Sequence, residues 1–483
     1  MHAHLWRRRA MRSVSIAAVL IGALALSQPG RAAEFTCASG DVACLIKAMR
    51  EANDEANTIT LEAGIYPLTT VDNNTEGSNG LPSITHSLTL RGAGADTTVI
   101  ERAAGAPRFR LVHVAATGTL MLEGLTLRGG LASSGPQLEP GGGLLNDGGV
   151  VVLARTTLTG NAAGGGGGLA NRGGTVLLTQ TLVARNEALS PTGGGGLLNA
   201  GTLILSETTL ANNRAESGGG LATGGTALVT NATVAGNEAT VGAGVFQSGG
   251  MLTIVTTTFA RNHAVVEGGG FFGRMATLIN ATLTDNSGGR GGGLAGSAVL
   301  LNTLLARNTS MDLRSIGLWS PDCVGHVISL GTNLLGDPTG CTITLRATDR
   351  TGDLGVGEFT SDGPPGRGHV PLLQNSLAVD AGNPTFCPPA DQLGQLRVGV
   401  CDIGAVEFQP STPPPAVAID IRPRTFPIPP PRPLSRPLDK DRLLEILKGE
   451  PLPQTLSHAS EPLPPKRFSE QGCLLKILKG EPC

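Results

Sequence analysis

Apolar and polar positions in the middle of the chain recur in a fixed order relative to an asparagine. The residues three, eight and ten positions before each asparagine are apolar, whereas the residue six before it is polar in all seven repeats and varies in type. Apolar residues two positions apart predict a short strand, and the polar position predicts a corner. Each repeat is therefore predicted to contain two or three short strands separated by bends. The asparagines are Asn161, Asn186, Asn213, Asn237, Asn262, Asn286 and Asn308.

Glycine runs have the same period as the asparagines. They end 23 to 28 residues apart, from Gly143 to Gly293, and GGGLLNAG at 194–201 is one example. A repeat of this length cannot bury its few aliphatic side chains alone, so successive coils are expected to stack on one another. Glycine permits positive φ and close approach of two coils, and stacked asparagine amides can form a hydrogen-bonded ladder. The prediction is an all-β, single-stranded parallel β-helix (solenoid) with seven such coils.

Three features resemble known families. The repeats, with GGGL and TFARN, resemble the GGA-type and FxxN-type repeats of polymorphic outer-membrane proteins. Residues 44–69, CLIKAMREANDEANTITLEAGIYPLT, resemble the CSLREA-type N-terminal segment, with Lys47 and Ala48 in place of its Arg and Glu. Residues 377–407, LAVDAGNPTFCPPADQLGQLRVGVCDIGAVE, resemble the closing segment of the choice-of-anchor Q domain, with Leu393 in place of an Arg. The chain thus resembles the secreted β-helix group with the pectin-lyase-like fold, which implies right-handed coiling.

The repeat and the composition divide the chain into six parts. Residues 1–33 are predicted to be a signal peptide, because arginines precede the run SIAAVLIGALAL, which is too short to cross a bilayer. An N-terminal cap with a short helix is expected at 34–63, where Asp41 is the N-cap and the buried face is Leu45, Ala48, Met49 and Ala52. The remaining parts are the coils at 64–310, the last coils with a C-terminal cap at 311–408, a Pro-rich linker at 409–441 and a tail at 442–483.

The tail contains the motif LLxILKGEP twice, at 442–451 and again at 473–483 with a flanking cysteine at each end. Each copy can form about two helical turns with its leucine and isoleucine side chains on one side. Two interpretations stay open. The copies are either two small helices that pack on each other, or a duplicated docking or attachment motif.

The cysteines and the net charge restrict the compartment and the partners. Eight cysteines fit an oxidising compartment, and none lies between 45 and 322. Local disulfides are expected, and zinc is the rival interpretation, although no CxxC spacing supports it. The net charge is −2 without long charged runs, so there is no electrostatic reason to expect nucleic acid. The expected pairs are Cys37–Cys44, Cys323–Cys341, Cys387–Cys401 and Cys473–Cys483.

The position after the asparagine supplies the candidate catalytic residues. Stacking is expected to place Glu187, Arg214, Glu238 and His263 in a line beside variable loops. The line is either an alternating-sign surface ladder or a cleft in which Glu187 or Glu238 is a general base and Arg214 stabilises charge. The acidic stretch at 349–363 is either a solvated loop or a calcium site.

The sequence favours a non-catalytic role. An asparagine that occurs in seven coils is expected to be structural, since a reaction needs one site. The coils contain few aspartates. After removal of the signal peptide the chain keeps one tryptophan, Trp319, and one tyrosine, Tyr66, which provide little aromatic surface for binding sugars. We expect a secreted or cell-surface, monomeric β-helix with a structural, adhesive or ligand-presenting role and with no cofactor, metal or transmembrane helix. Its partner would be a cell-envelope component, a glycan or a surface protein. The alternative is a polysaccharide lyase or glycoside hydrolase.

Overall fold

The computed structural model describes residues 34–409, apart from 53–56, 135–136, 192, 311–321, 353–354 and 362. The chain winds as a parallel β-solenoid of about eleven turns, so the all-β parallel β-helix predicted from the repeats is confirmed. The seven repeats counted from the asparagines leave out the turns before Leu131 and after Asp322, which lack either the glycine run or the closing asparagine. Across the described residues, no helix is both long and apolar enough to span a membrane.

The main sheet contains 19 strands. Nearly all of its pairings are parallel and in register from one coil to the next, and pairing already begins with Glu34. Its strands are Glu34–Cys37, Asn57–Leu61, Ser87–Gly92, Val112–Val114, Thr119–Glu123, Leu144–Asn146, Val150–Ala154, Leu169–Asn171, Thr175–Thr179, Leu197–Asn199, Thr202–Ser206, Leu221–Thr223, Thr226–Thr230, Val245–Gln247, Leu252–Val255, Phe271–Ile279, Leu294–Leu301, Cys323–Ser329 and Cys341–Ile343.

The second sheet contains 12 strands and forms another side of the solenoid. Its strands are Gly64–Leu68, Thr98–Arg102, Thr126–Arg128, Thr157–Thr159, Leu182–Ala184, Thr209–Ala211, Thr233–Ala235, Thr258–Ala260, Thr282–Thr284, Leu304–Ala306, Leu334–Leu335 and Arg350–Thr351.

Two four-stranded sheets form a third side of the solenoid. They add a fourth strand to the coil, which the prediction of two or three strands per repeat did not include. The strand follows the asparagine, where the sequence varies most, so no alternation marks it. Its copies are Leu131–Ser134, Ala162–Ala163 and Glu187–Ala188 in one sheet, where Gln137–Leu138 pairs antiparallel with the first of them, and Glu238–Val241, His263–Glu267, Ser287–Gly288 and Thr309–Ser310 in the other.

Two corners of each coil use left-handed backbone. The residue six before the asparagine has φ between 42° and 50° in all seven repeats, although none of these residues is glycine. The residue just before the asparagine has φ between 54° and 64°. A non-glycine residue in this region costs about 1 to 2 kcal/mol, so the residues six before the asparagine adopt positive φ without the steric freedom that glycine would supply. The six-before residues, called here the first corner, are Arg155, Gln180, Glu207, Asn231, Thr256, Asn280 and Asn302.

Threonine hydroxyls stabilise the first corner from inside. In five of the seven repeats the next residue is a buried threonine, and the hydroxyl of Thr181, for example, donates to the carbonyl of Thr179 at 2.9 Å and of Leu153 at 3.3 Å. The corner amide is bonded to the next coil, as from Gln180 N to Ser206 O at 3.2 Å. These bonds offset part of the backbone strain.

The glycine runs are required because the coils touch backbone to backbone there. A Cβ added to Gly143 would lie 2.5 Å from the carbonyl oxygen of Gly168, and one added to Gly168 would lie 2.8 Å from that of Gly196. Any larger residue would therefore push two coils apart.

A single helix, α1 (Val42–Ala52), packs on the N-terminal end of the stack within the described residues. Its buried residues are Leu45, Ala48, Met49 and Ala52, as predicted. The Asp41 carboxylate accepts a hydrogen bond from Cys44 N at 2.9 Å, so the predicted N-cap is confirmed. The helix covers apolar side chains that the first coil would otherwise expose.

Residues 355–409, called here the return segment, lie along the outer face of the second sheet. Arg307 donates to the carbonyl oxygens of Val356 and Gly357 at 3.1 and 3.0 Å. Gly366 N donates to the Thr209 hydroxyl at 2.8 Å, and Ala405 N donates to the Thr282 hydroxyl at 2.9 Å. The segment therefore runs from the last coils towards the middle of the solenoid and then back again. It also covers apolar residues of the last coils, such as Leu334.

The return segment has its own buried ionic network. Arg397 and Glu407 form an ion pair at 2.8 Å, and their side chains are only 4% and 5% exposed. The Asp402 carboxylate accepts from Asp380 N at 2.7 Å, and burial raises the pKa of Asp402. A buried pair of this kind is costly to break singly, so it fixes the local conformation.

The three cysteine pairs that fall within the described residues are bonded as Cys37–Cys44, Cys323–Cys341 and Cys387–Cys401. The predictions for the signal peptide at 1–33, the pair Cys473–Cys483 and the tail at 442–483 lie outside the described residues, as does Trp319. The predicted linker lies outside them from residue 410 onward.

Candidate functional site

The seven repeated asparagines are buried and form one continuous ladder. In each step the backbone N and the side-chain Nδ2 of one asparagine donate to Oδ1 of the asparagine in the next coil. For Asn186 these distances to Asn213 Oδ1 are 3.0 and 3.1 Å, and its Nδ2 also donates to Leu158 O at 2.9 Å. The same pattern joins Asn161, Asn186, Asn213, Asn237, Asn262, Asn286 and Asn308. The side-chain amides of these asparagines are therefore hydrogen-bonded inside the stack.

An aspartate ends this ladder. Asp322 Oδ1 accepts from both N and Nδ2 of Asn308, each at 2.9 Å. Burial raises the pKa of Asp322, and the hydrogen bonds from Asn308 oppose that rise.

A second, shorter ladder lies at the corner after the glycine runs. Asn146 Nδ2 donates to Asn171 Oδ1 at 3.0 Å, Asn171 to Asn199 Oδ1 at 2.9 Å, and Asn199 to the Thr223 hydroxyl at 3.1 Å. From Phe271 onward the corresponding position is glycine, and two strands merge into the single strand Phe271–Ile279. The ladder ends at Thr223, whereas the corner continues through one more coil, in which Gln247 Nε2 donates to Gly250 O at 3.2 Å.

The four predicted catalytic residues do line up on the third side of the solenoid. Glu187 is paired with Arg214, Arg214 with Glu238, and Glu238 with His263 in successive coils. The two glutamates and the arginine are exposed, whereas His263 is half-buried and its Nδ1 lies 2.9 Å from the Ser287 hydroxyl. None of these four residues forms an ion pair within 4.0 Å with another side chain that the structure describes. The arrangement is a row of side chains on successive coils, three of which are exposed.

A different charged cluster lies over the first coils. Its centre is the fully buried guanidinium of Arg110, which donates to Asn79 Oδ1 at 3.0 Å and to the carbonyls of Glu76 and Pro140 at 2.8 and 3.0 Å. The Glu139 carboxylate lies 3.4 Å from it. Burial lowers the pKa of Arg110 to about 10, so it stays protonated at neutral pH.

Arg172 completes this N-terminal charged cluster. It forms ion pairs with Glu76 at 3.0 Å and with Asp147 at 3.4 Å. Both carboxylates are partly exposed, and Glu76 lies in a loop where its φ is 54°. The cluster thus brings together three carboxylates and two guanidinium groups, with each carboxylate next to an arginine.

His113 is buried beside the same cluster. Its Nδ1 lies 2.9 Å from the Ser83 hydroxyl, whereas its Nε2 has no hydrogen-bond partner among the described residues. Burial lowers the pKa of His113, and the positive charge of Arg110 lowers it further. This histidine is therefore neutral at neutral pH.

Glu267 is a charged residue on the same side of the solenoid that sequence reasoning did not single out. It lies in the strand His263–Glu267, and its carboxylate contacts Arg290 Nη1 at 2.5 Å. Burial raises the pKa of Glu267, and Arg290 lowers it by a smaller amount. A carboxyl of this kind is better suited to general acid chemistry than an exposed one.

Metal ligands are not grouped anywhere in the described part of the chain, where no three His, Cys, Asp or Glu side chains converge. Within the stretch at 349–363, Asp349 accepts hydrogen bonds from Asn333 N at 3.0 Å and from the Ser329 hydroxyl at 2.6 Å. The carboxylate of Asp349 is thus part of the corner of a late coil.

Sequence reasoning missed the N-terminal charged cluster because its members come from separate turns and share no repeat position. It also missed the second ladder, although the motifs GGGLLN at 141–146, GGGLAN at 166–171 and GGGLLN at 194–199 display it. A second count of asparagines, made from the glycine run, finds Asn146, Asn171 and Asn199.

No protein-family model matches the chain, and no curated protein matches it. Among solved structures, the crystal structure of pectate lyase Pel9A is similar to this chain, with a TM-score of 0.41 and 13% identity. The similarity covers 74% of this chain and 90% of the pectate lyase. It concerns the fold and assigns no activity.

Proposed function

We propose that this chain is a secreted or cell-surface β-helix with a structural, adhesive or ligand-presenting role and no catalytic activity. The observation that carries the proposal is the use of the repeated polar side chains. The asparagines and corner threonines bond within the stack, so their repetition serves coil-to-coil contact. The exposed residues that remain differ from coil to coil, as expected of a scaffold that displays variable groups on a regular frame.

Three features support export. The first 33 residues have the charge and length of a signal peptide, and the three disulfides fit an oxidising compartment. The resemblance of 44–69 and 377–407 to segments of surface proteins agrees with this location. The Pro-rich linker and the duplicated tail motif would then connect the solenoid to the cell envelope, a glycan or a surface protein.

The test separates location from activity. The full chain with its signal peptide is expressed in a bacterial host and located by fractionation and by protease treatment of intact cells. We expect it outside the cytoplasm with its cysteines oxidised. The purified protein is then incubated with a panel of neutral and acidic polysaccharides, and reducing ends and unsaturated products are measured. Retention in the cytoplasm would contradict the proposed location, and cleavage of any polymer would contradict the non-catalytic role.

A polysaccharide lyase or hydrolase is the second candidate, and two observations favour it. Glu267 has a raised pKa and lies on the side that also displays His263, while three carboxylates and two arginines gather in the N-terminal charged cluster. If cleavage is detected, Glu267→Gln and Arg172→Ala distinguish these two places. Loss of turnover in one variant with an unchanged melting temperature would assign the reaction to that place.

A further inference from the structure

A pocket of about 140 Å³ lies where the return segment meets the first corner of three successive coils. One wall consists of the first-corner residues of these three coils. The other wall consists of two short loops of the return segment. The lining residues used below are Gln180, Glu207, Asn231, Pro364, Pro365 and Arg367.

The floor of the pocket is rigidly built. Gly366 has φ of 85°, and a Cβ there would lie 2.6 Å from the backbone of Glu207. Its amide donates to the Thr209 hydroxyl at 2.8 Å, and its carbonyl accepts from Gln392 Nε2 at 2.7 Å. Gln392 is itself buried and also donates to Gly368 O at 2.7 Å. These contacts fix the loop on the coils, so the pocket is preformed.

The walls present polar groups of both signs beside an apolar surface. Gln180 Nε2 donates to the Glu207 carboxylate at 2.9 Å, which leaves the other carboxylate oxygen for a ligand. Among the described residues, neither Glu207 nor Arg367 has an ion-pair partner within 4.0 Å. Pro364 and Pro365 add an apolar wall that has no N–H groups.

We propose that this pocket binds one neutral hexose unit of a glycan. The proposal rests on the ligand-presenting role above and names the chemical class of the ligand. At roughly 10 to 15 Å³ for each water-sized atom, the pocket admits roughly ten heavy atoms, which is close to one sugar ring and too few for two.

The chemistry of the walls selects a neutral sugar. Sugar hydroxyls both donate and accept hydrogen bonds, so they can pair with the Glu207 carboxylate, the Arg367 guanidinium and the Asn231 amide together. A uronic acid that pairs with Arg367 still places a second carboxylate in the same small pocket as Glu207, and an amino sugar that pairs with Glu207 still places an ammonium near Arg367. The C–H face of the ring would pack on Pro364 and Pro365.

Saturation-transfer NMR on the full chain tests the proposal, with methyl glucoside, galactoside and mannoside as probes and with glucuronate and glucosamine as charged counterparts. A ligand of this size is expected to bind with a Kd of about a millimolar. We expect transfer to at least one neutral glycoside, and binding about tenfold weaker or worse in Glu207→Gln and in Arg367→Ala, because each removes a charged hydrogen-bond partner.

Two matched variants serve as controls. Glu62→Gln and Arg274→Ala remove an exposed carboxylate and an exposed guanidinium far along the chain from the pocket residues, and they are expected to bind the glycoside as the unmodified chain does. Absence of transfer to every neutral glycoside, or tighter binding of glucuronate than of the neutral sugars, would overturn the pocket assignment. The double variant with Glu207→Gln and Arg367→Ala is also applied to an immobilised glycan array. If the array captures it as strongly as the unmodified chain, the assignment of glycan binding to this pocket is wrong, while the ligand-presenting role is retained.

Discussion

Replacement of Asn213 by alanine tests the interpretation of the asparagine ladder as the element that joins the coils. Asn213 is fully buried and lies in the middle of the ladder. Its Oδ1 accepts from N and Nδ2 of Asn186, and its Nδ2 donates to Val183 O at 2.9 Å and to Asn237 Oδ1 at 3.0 Å. The substitution removes four hydrogen bonds.

The magnitude follows from the groups left without a partner. Asn186 Nδ2 retains Leu158 O, and Asn237 Oδ1 still accepts from Asn213 N at 3.0 Å. The amide of Asn186 and the carbonyl of Val183 lose the side-chain partner that Asn213 gave them. At about 1 to 3 kcal/mol for each buried unsatisfied group, the free energy of unfolding should fall by about 2 to 5 kcal/mol.

The assay combines a global and a local measurement. Urea unfolding followed by circular dichroism gives the loss of stability, and hydrogen exchange of the Asn186 amide should become faster because its acceptor is gone. Asn213→Asp is expected to be worse than Asn213→Ala, since its second carboxylate oxygen would face Val183 O and Asn237 Oδ1. Arg214→Ala, on the exposed neighbour, should change stability by less than about 0.5 kcal/mol.

A double substitution provides the refutation. Asn186→Ala together with Asn213→Ala should cost less than the sum of the two single changes, because the two amides share a hydrogen bond. Strict additivity, or a loss for Asn213→Ala no larger than for Arg214→Ala, would show that the ladder does not stabilise the stack.

Three further predictions concern other parts of the solenoid. The pKa of His113 is lower in the folded chain than the unfolded value of 6.5, so the free energy of unfolding should fall as pH drops below that value, because the unfolded chain then binds the proton more readily. His113→Gln should reduce this dependence of stability on pH, measured as urea midpoints between about pH 8 and pH 5. An unchanged dependence would exclude His113 as its source. Glu238→Gln with Arg214→Ala should leave the melting temperature nearly unchanged, since exposed charged neighbours contribute at most about 1 kcal/mol; a marked drop would contradict the description of these residues as a surface row. Gly366→Ala should loosen the return segment and raise its cleavage in limited proteolysis, because the added Cβ would meet backbone atoms at 2.6 Å; resistance equal to that of the unmodified chain would show that the loop tolerates a side chain there.

The residues that repeat were the ones from which the fold could be predicted. Leu158 and its equivalents, the glycine runs and the closing asparagines each occupy one column, so a single sequence contains seven comparable observations of the same position. The Asp41 cap and the buried face of α1 were also predictable, since a helix face depends on local spacing. The left-handed first corner was visible as a polar column, but its φ was not, because residues as different as Arg155 and Thr256 occupy it.

The candidate sites were less predictable because they depend on residues that do not repeat. The row from Glu187 to His263 follows from the repeat length, whereas its openness depends on the loops beside it. The proximity of Glu76 to Arg172 depends on how a loop crosses two turns, and no pattern within the chain records that distance.

The stacking of coils follows from the repeat alone, since equal spacing of small, amide and aliphatic residues permits burial only when each coil lies on the next. The tertiary structure was needed to place the return segment, because its contacts with Thr209, Thr233 and Thr282 join positions more than a hundred residues apart. It also decided which charges meet and which are buried, as at Arg110 and His113, since burial depends on every element that covers a side chain.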